Sequence, residues 1–271
     1  MHGHSHLHNH GGDSGIGVLA AMIKDIPISV QNLTMAYGGT VIQKDISFDV
    51  ARGSIFIVMG DSGCGKSTLL RHITGQIKPY AGRILRDDID IWKCSSSQLD
   101  AIRHSSGLLY QSGALWSGMT LEENVALPLQ QFTNYSKAQI HDICLYKLAL
   151  VGLTGAEGLY PAQISGGMRK RAGLARAMAL DPKVLFFDEP SAGLDPLSAR
   201  RLDELILQLR DTLHATFMVI THELESIFMI GTDAVFLDSE THTMLGKGNP
   251  KELKEHSPHS KIRTFLRRGE A

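Results

Sequence analysis

A glycine-rich loop at residues 60–67 has the residue types and spacing of a phosphate-binding site. Its sequence, GDSGCGKS, matches the pattern GxxxxGK[ST] and separates an apolar run from a segment with helical periodicity. Glycines let backbone N–H groups turn toward an anion, and the N-terminus of the following helix adds partial positive charge. An accidental glycine-rich turn is the alternative, but the order of strand, loop and helix argues against it. The predicted nucleotide-binding residues are Gly60, Asp61, Ser62, Gly63, Cys64, Gly65, Lys66, Ser67 and Thr68.

Two carboxylates follow a second apolar run, residues 184–187. Strand ends of this kind border the ligand crevice in parallel sheets, which places Asp188 and Glu189 near the loop. We expect Lys66 to contact the β- and γ-phosphates, and Ser67 and Asp188 to hold Mg²⁺. Glu189 is placed to polarise an attacking water. A strand that ends in acidic turn residues would explain the pair alone, but not its combination with the loop.

Three further polar features occur at the ends of predicted elements. Gln111 follows the short apolar run 107–110, and His222 follows the run 216–221. The segment Ser165-Gly166-Gly167 opens a basic helix, so its hydroxyl, N–H groups and helix dipole form a second candidate anion site. Gln111 and His222 taken singly would be satisfied polar groups at strand ends, but their order with the other motifs favours a site.

The elements that must position these residues alternate along the chain. Predicted strands are 28–33, 46–50, 54–59, 83–91, 107–110, 184–188, 216–221 and 234–238, and predicted helices are 66–74 and 168–180. Helical periodicity also runs from about residue 120 to 153. Alternating strands and helices predict an α/β core with a mostly parallel sheet. The strand-free stretch, about 112–165, is predicted to be a helical insertion in that core.

Composition narrows the class of protein. The 271 residues carry 27 Lys and Arg against 28 Asp and Glu, a net charge of −1, with 43% hydrophobic residues. These values are typical of a soluble globular protein and argue against a nucleic-acid partner and against disorder. Three widely spaced cysteines indicate a reducing compartment and no disulfide framework. We find no run of about 18 apolar residues that could span a bilayer, and no signal peptide.

Residues 1–27 are interpreted as a histidine-rich leader and linker. Five histidines alternate with other residues in the first ten positions: His2, His4, His6, His8 and His10. Imidazoles in a tail bind Ni, Cu or Zn, but no cysteine or carboxylate completes a defined ligand set. An affinity tag, a native metal-binding tail and a leader without a role all remain open.

From about residue 28 to 247 the sequence resembles the nucleotide-binding subunit of ABC transporters. On that resemblance, 60–67 is the Walker A loop, Gln111 lies in the Q-loop and Ser165-Gly166-Gly167 is the signature. Asp188-Glu189 is Walker B, Gly193-Leu194-Asp195 the D-loop and His222 the switch histidine. Gln111 then joins the ligands of Mg²⁺ and, with Glu189 and His222, the catalytic group. Tyr37 stands where the family places an aromatic that stacks on adenine, although a surface tyrosine in a glycine-rich turn would look the same.

The family resemblance implies a fold and a cycle. The fold would be a P-loop (RecA-like) core with an antiparallel β subdomain and an inserted helical subdomain, with residues 248–271 as a C-terminal tail. Two copies would face head to tail, with each ATP between the Walker A loop of one and the signature of the other. A membrane permease would be moved by this closing and opening, so we expect a peripheral protein on the cytoplasmic side of the inner membrane.

The signature departs from the usual Leu-Ser-Gly-Gly-Gln, with Ile164 first and Met168 last. A methionine there resembles the Mce/Mla type of lipid-transport ATPase, as do the segments 111–116, 123–129 and 261–266. That resemblance implies phospholipid transport between bacterial membranes, with an Mce-type lipid-binding protein as a further partner. A soluble ABC-type scaffold of the iron–sulfur assembly kind, or a transporter for another substrate, is the alternative.

Two apolar sites are candidates for partner contacts. Leu115 and Trp116 lie where the family docks its permease and would be an anchor if exposed, whereas a buried Trp116 would be core filling. Ile262 and Phe265 stand out in a polar tail and are predicted to pack on a second ATPase subunit. Deletion of residues 257–271 should then weaken dimerisation.

Overall fold

Two β-sheets and nine α-helices make up residues 25–268, the part of the chain that the computed structural model describes. The strands are β1 (Ile28–Tyr37), β2 (Thr40–Val50), β3 (Ile55–Gly60), β4 (Ala81–Arg86), β5 (Ile89–Asp90), β6 (Ser106–Leu109), β7 (Val184–Asp188), β8 (Thr216–Ile220), β9 (Asp233–Asp238) and β10 (Thr243–Gly248). The helices are α1 (Lys66–Ile73), α2 (Ser96–His104), α3 (Leu121–Phe132), α4 (Lys137–Leu150), α5 (Gly166–Ala177), α6 (Pro196–Leu213), α7 (Leu224–Ile230), α8 (Pro250–His256) and α9 (Ser260–Leu266). The histidine-rich leader lies outside the described residues.

The larger sheet has six strands in the order β10-β9-β3-β8-β7-β6. All pairings are parallel except that of β10 with β9. Both faces are covered: along β3, Ile55, Ile57 and Met59 enter one core cluster, while Phe56 and Val58 enter another. This period-2 division explains why the central strands are continuous apolar runs. The predicted α/β core with a mostly parallel sheet is confirmed.

The smaller sheet is antiparallel, in the order β2-β1-β4-β5. Strands β1 and β2 form a hairpin whose turn contains Gly38 and Gly39, both at positive φ. The predicted single strand 83–91 is wrong, because it is interrupted between β4 and β5. Asp87 and Asp88 occupy the left-handed region there, with φ of 45° and 64°, and aspartate tolerates this conformation in turns.

Helices α3 and α4 lie within the stretch predicted to be a helical insertion. Thr120 and Ser136 each close a capping box at the helix start, satisfying N–H groups that would otherwise lack partners. The loop before α3 is fixed by Asn124, which is fully buried. Its amide donates to the carbonyls of Trp116, Met119 and Thr120, and its oxygen accepts the N–H of Trp116. The core-filling interpretation of Trp116 is wrong, since 61% of the residue is exposed.

The C-terminal tail is part of the core of its own chain. Ile262 is fully buried and Phe265 is 7% exposed, and the Phe265 ring packs edge-on against Phe236 with centroids 5.2 Å apart. The prediction that these side chains pack on a second subunit is therefore wrong. Their apolar atoms are already covered by β9 and β10, and deletion of this segment would uncover the core rather than an interface.

Six elements within residues 25–268 were not predicted from the sequence: α2, α6, α7, α8, α9 and β10. Strand β10 is an edge strand with the sequence TMLGKG, in which Met244 and Leu245 are adjacent and glycines follow, so it shows no apolar alternation. Helix α5 begins two residues earlier than predicted, at Gly166. Within residues 25–268 no helix combines the length and apolarity needed to cross a membrane.

Candidate nucleotide-binding site

A cavity of about 590 Å³ lies at the carboxyl ends of β3, β7 and β8. The register of the sheet sets these ends side by side, because β3 Val58 and β7 Asp188 both pair with Ile220 of β8. The predicted residues on its walls are Gly60, Asp61, Ser62, Gly63, Gly65, Lys66, Ser67, Thr68, Gln111, Glu189 and His222. Residues far apart in the sequence are thus brought to one side of the sheet.

The loop from β3 to α1 has a backbone that requires glycine at its two ends. A Cβ on Gly60, where φ is 148°, would lie 2.2 Å from the carbonyl oxygen of Leu237. At Gly65, φ is 99° and a Cβ would lie 2.7 Å from a methyl carbon of Ile42. Gly65 is also the N-cap of α1 and provides no side-chain cap. The first N–H groups of α1 are therefore left for a ligand anion, which the helix dipole favours.

Lys66 folds back over this loop. Its Nζ donates to the carbonyl oxygens of Gly60 and Asp61 at 3.1 and 2.8 Å. Cys64 lies beneath, 2% exposed, and burial raises the pKa of its thiol against the opposing charge of Lys66. The loop therefore presents a single positive amine to the cavity, and Cys64 packs as a neutral side chain.

Ser67 and Asp188 meet at the base of the site. Ser67 Oγ donates to Asp188 Oδ1 across 3.2 Å, so the start of α1 and the end of β7 are in direct contact. A hydroxyl and a carboxylate are the oxygen donors that Mg²⁺ prefers, usually together with phosphate oxygens. The pair therefore fits a magnesium ion bound beside a nucleotide.

Glu189 and His222 form the acidic and imidazole part of the cavity. Glu189 has φ of 49°, and its N–H donates to the Ile220 carbonyl at 2.9 Å. A left-handed glutamate costs on the order of 1 kcal/mol, and such strain is concentrated at functional sites. Glu189 Oε1 lies 2.9 Å from His222 Nδ1. Its second oxygen, Oε2, is buried without a hydrogen-bond partner in the described part of the chain, which leaves one acceptor for a water or a substrate.

Gln111 is held at the cavity by its backbone. Lys170 of α5 is 6% exposed and donates through Nζ to the Gln111 carbonyl. Burial lowers the pKa of Lys170, partly offset by the charge of Glu189. The Gln111 side chain is exposed to the cavity, where it stands between the P-loop and the helical insertion. The basic character of helix α5 is evident in the sequence, but nothing there identifies Lys170 as a support for this loop.

The structure does not bring Ser165, Gly166, Gly167 or Tyr37 to this cavity. Ser165 is exposed at the start of α5, where its Oγ accepts the N–H of Met168 at 3.1 Å. Tyr37 ends β1 beside the hairpin turn and is 48% exposed. That hairpin does contact the P-loop, because Met35 and Ile42 pack near Gly65. Tyr37 therefore belongs to a hairpin that packs on the loop, but it does not itself line the cavity.

Two residues near the site, Gln43 and Arg268, had no signal in the sequence. Gln43, fully buried in β2, donates to the carbonyls of Cys64 and Asp238 at 2.8 and 2.9 Å and fixes the P-loop to the end of β9. Phe265 and Arg268 of the C-terminal tail also line the cavity. Only the contacts of the folded chain identify Gln43 and Arg268, since no motif contains them, and only those contacts bring Phe265 to the cavity of its own chain.

Comparisons with known sequences agree with this geometry. Residues 43–192 match the family model described as ABC transporter. Over 253 residues, 93% of this chain and 72% of the relative, the sequence is 38% identical to the probable ribonucleotide transport ATP-binding protein of Mycobacterium leprae. Over 226 residues, 83% of this chain and 85% of the relative, it is 40% identical to MlaF of Haemophilus influenzae, an intermembrane phospholipid transport system ATP-binding protein.

A solved structure shares the fold as well. It is a dimeric ATP-binding cassette in a post-hydrolysis state, bound to ADP and phosphate. The TM-score is 0.73 at 26% identity, and the match covers 82% of this chain and 98% of that one. The fold described above is thus shared with a cassette whose structure holds ADP and phosphate.

Proposed function

This chain belongs to the ABC transporter family and is an ATP-binding ATPase subunit, and we propose on that premise that it powers phospholipid transport through a membrane permease. The observation that carries the proposal is the single cavity in which the P-loop, Glu189 and His222 meet. The relationship to a phospholipid transport ATP-binding protein of Haemophilus influenzae supports the choice of substrate.

The proposed hydrolysis uses the chain's own side chains in separate roles. Lys66 and the α1 N-terminus bind the β- and γ-phosphates. Glu189 orients the attacking water and accepts its proton, since Oε2 is a buried oxygen without another partner. His222 fixes the Glu189 carboxylate through Oε1. Ser67, Asp188 and Gln111 would hold Mg²⁺, which when bound neutralises charge that develops on the phosphates.

A second copy would complete the site. Ser165 and the first N–H groups of α5 form a second candidate anion site, but they do not line the nucleotide cavity of their own chain. A head-to-tail homodimer would place them on the γ-phosphate of the other chain's ATP. The dimeric state of the similar cassette supports this arrangement, and the ATP would hold the two chains together until it is hydrolysed.

The permease would dock beside Trp116. This exposed indole is held on a loop that Asn124 fixes by four hydrogen bonds, and Leu115 of the same loop packs on the core. A rigid exposed tryptophan is a typical anchor of a protein interface. The loop follows Gln111 directly, so docking would be coupled to the nucleotide site. We place this interface on the cytoplasmic side of the inner membrane and infer an Mce-type lipid-binding protein as a further component.

Ribonucleotide transport is the second candidate, favoured by the name of the Mycobacterium leprae relative.

The test starts with the full chain captured from membranes of the source cell together with the integral membrane protein it binds. The complex is then reconstituted in phosphatidylethanolamine–phosphatidylglycerol vesicles. We expect ATP to drive transfer of a fluorescent phospholipid to acceptor vesicles, and expect Trp116→Ala to reduce capture of the permease.

Lys66→Ala is the control that separates ATP-driven transfer from leakage, because it removes the phosphate-binding amine. ATP-driven movement of a labelled ribonucleotide without lipid transfer would establish the second candidate instead. A chain that hydrolyses ATP and captures no membrane protein would favour a soluble scaffold ATPase and contradict the transport proposal.

A further inference from the structure

The C-terminal helix α9 begins at an ion-pair cluster that includes the P-loop. Lys261 Nζ lies 2.8 Å from Asp61 Oδ2, and also binds Asp238 at the end of β9 and Glu240 in the next turn. Asp61 Oδ2 accepts a second hydrogen bond from Ser239 Oγ at 3.0 Å. Burial alone would raise the pKa of Asp61, but the bonds from Lys261 and Ser239 outweigh it and the pKa lies below its ordinary value. Lys261 therefore fixes the first side chain of the P-loop in its charged form.

The second residue after α9, Arg268, reaches the opposite wall of the cavity. Arg268 donates through a terminal nitrogen to the backbone carbonyl of His222 at 3.3 Å. Its guanidinium carbon lies 3.9 Å from the centroid of the Phe265 ring, and its Nε donates to the Phe265 carbonyl at 3.0 Å. Both Phe265 and Arg268 line the nucleotide cavity. The guanidinium is therefore oriented by its own helix before it contacts the histidine loop.

Helix α9 is firmly anchored between these two contacts. Ile262, Phe265 and Leu266 are all buried in the core cluster. Ile262 packs so closely on β10 that a Cβ at Gly246 would lie 2.8 Å from its Cδ1. A helix that is fixed to the sheet and bonded at both ends transmits position from one end to the other, since packed interiors deform little.

We propose that helix α9 is a positioning element of the ATP site, with Lys261 holding the P-loop and Arg268 holding the His222 loop. Lys261 acts on the segment that binds phosphate, so its loss should weaken nucleotide binding. Arg268 acts through the His222 backbone on the Glu189–His222 pair, so its loss should slow hydrolysis with little effect on binding. The inference rests on the proposed roles of Lys66, Glu189 and His222, and it assigns Lys261 and Arg268 a function at the ATP site.

The test uses the full chain, with hydrolysis followed by phosphate release and binding by fluorescent ATP. We expect Arg268→Gln to lower kcat on the order of 10-fold, because small displacements of catalytic groups are costly, with the Kd for ATP within about twofold of wild type. Arg268→Lys should recover part of kcat, since it retains a donor for the carbonyl. Lys261→Gln should instead raise the Kd for ATP on the order of 5-fold, because Asp61 loses its cation.

Arg267→Gln is the matched control, because Arg267 lies one residue earlier and pairs with Glu255 away from the cavity. It should leave kcat and Kd unchanged, and thermal denaturation should show each variant folded. An Arg268→Gln protein with wild-type kcat, or one that loses ATP affinity instead, overturns the positioning role. Glu189→Gln, assayed in parallel, distinguishes a failure of this inference from a failure of the proposed function. If both Glu189→Gln and Arg268→Gln hydrolyse ATP at the wild-type rate, the proposed catalytic site is wrong. If Glu189→Gln is inactive and Arg268→Gln is fully active, only the role of α9 is wrong.

Discussion

Two helix N-termini in this chain are candidates for binding the same phosphate, and they are built differently. At α1 the N-cap is Gly65, no side chain caps the helix, and the start of the helix faces a cavity shared with Glu189 and His222. At α5 the N-cap is Ser165, whose hydroxyl already accepts the N–H of Met168, and the segment is exposed outside that cavity. The N–H groups at the start of α1 are uncapped and face a cavity that also contains the proposed catalytic residues. The start of α5 is capped by Ser165 and faces no such cavity in its own chain.

On the proposed roles, the two copies of the chain would contribute unequally to each ATP site. The α1 region would bind the nucleotide and polarise the water, so we expect a single chain to hold ATP. The α5 region would add only a hydroxyl and a helix dipole to a phosphate that the other chain already binds. Changes at α1 and its neighbours should therefore affect binding or chemistry, and changes at α5 should affect association.

The largest effect is expected from Glu189→Gln. The substitution removes the charge that polarises water but keeps a similar shape, so turnover should fall by about 100-fold or more. ATP affinity should be retained because Lys66 and the α1 N-terminus are unchanged. Unhydrolysed ATP should then trap a dimer that gel filtration with light scattering detects.

Glu223→Gln is the control for this prediction. Glu223 also faces His222, with 3.4 Å between Oε1 and Nε2, but is 52% exposed and does not line the cavity. Its loss should leave turnover near wild type. If the Glu189 and Glu223 variants have equal ATPase activity, Glu189 has no special role in polarising the attacking water.

A smaller effect, confined to association, is expected from Ser165→Ala. Loss of a hydrogen bond to a charged phosphate should weaken ATP-dependent dimerisation about 10-fold at each site, while ATP binding to the single chain stays unchanged. The substitution also removes an N-cap, which costs about 1 kcal/mol of stability. Sedimentation with and without ATP measures the association.

Ser136→Ala separates these two consequences. Ser136 caps α4 in the same way, accepting the N–H of Gln139 at 3.2 Å, and lies in a different part of the fold. It should lose similar stability and dimerise normally. If both serine variants dimerise equally well, the α5 N-terminus has no role in binding the partner's nucleotide.

The α1 half of the comparison was largely predictable from the sequence, and the reasons are local. Gly60 to Ser67 carry their own backbone requirements, and Asp188-Glu189 end a run whose apolar character shows that both faces are buried. The supports were not predictable. Gln43 and Lys170 donate hydrogen bonds to backbone carbonyls. Every residue has such a carbonyl, so the sequence does not show which one accepts the bond. Phe265 stood out as an apolar residue in a polar tail, but only packing on Phe236 shows that it belongs to its own core.

The smallest effect concerns the scaffold behind the Glu189–His222 pair. Helices α6 and α7 are joined by Asp203, 3% exposed, whose Oδ2 accepts the Ser226 hydroxyl at 2.6 Å. Burial raises the pKa of Asp203 to about 6 despite that hydrogen bond. In the unfolded chain the pKa of Asp203 is near 3.8, the ordinary value for an aspartate, so the folded state binds the proton more tightly. The free energy of unfolding therefore falls as the pH rises from about 4 through 6, because the buried Asp203 carboxyl loses its proton. Above pH 6 the full cost of burying the carboxylate applies.

Asp203→Asn removes this penalty, so its stability relative to wild type should increase by about 1 kcal/mol between pH 5 and pH 8. Urea unfolding at the two pH values measures the change. Asp211→Asn, on the exposed face of the same helix, should show no such increase. The wild-type pH dependence in the Asp203 variant would mean that this carboxylate is already ionised in the fold. Turnover relative to wild type should change little at pH 8, because Asp203 lies outside the nucleotide cavity. The Asp203–Ser226 contact between α6 and α7 would then affect the stability of the fold without affecting ATP hydrolysis at the nucleotide site.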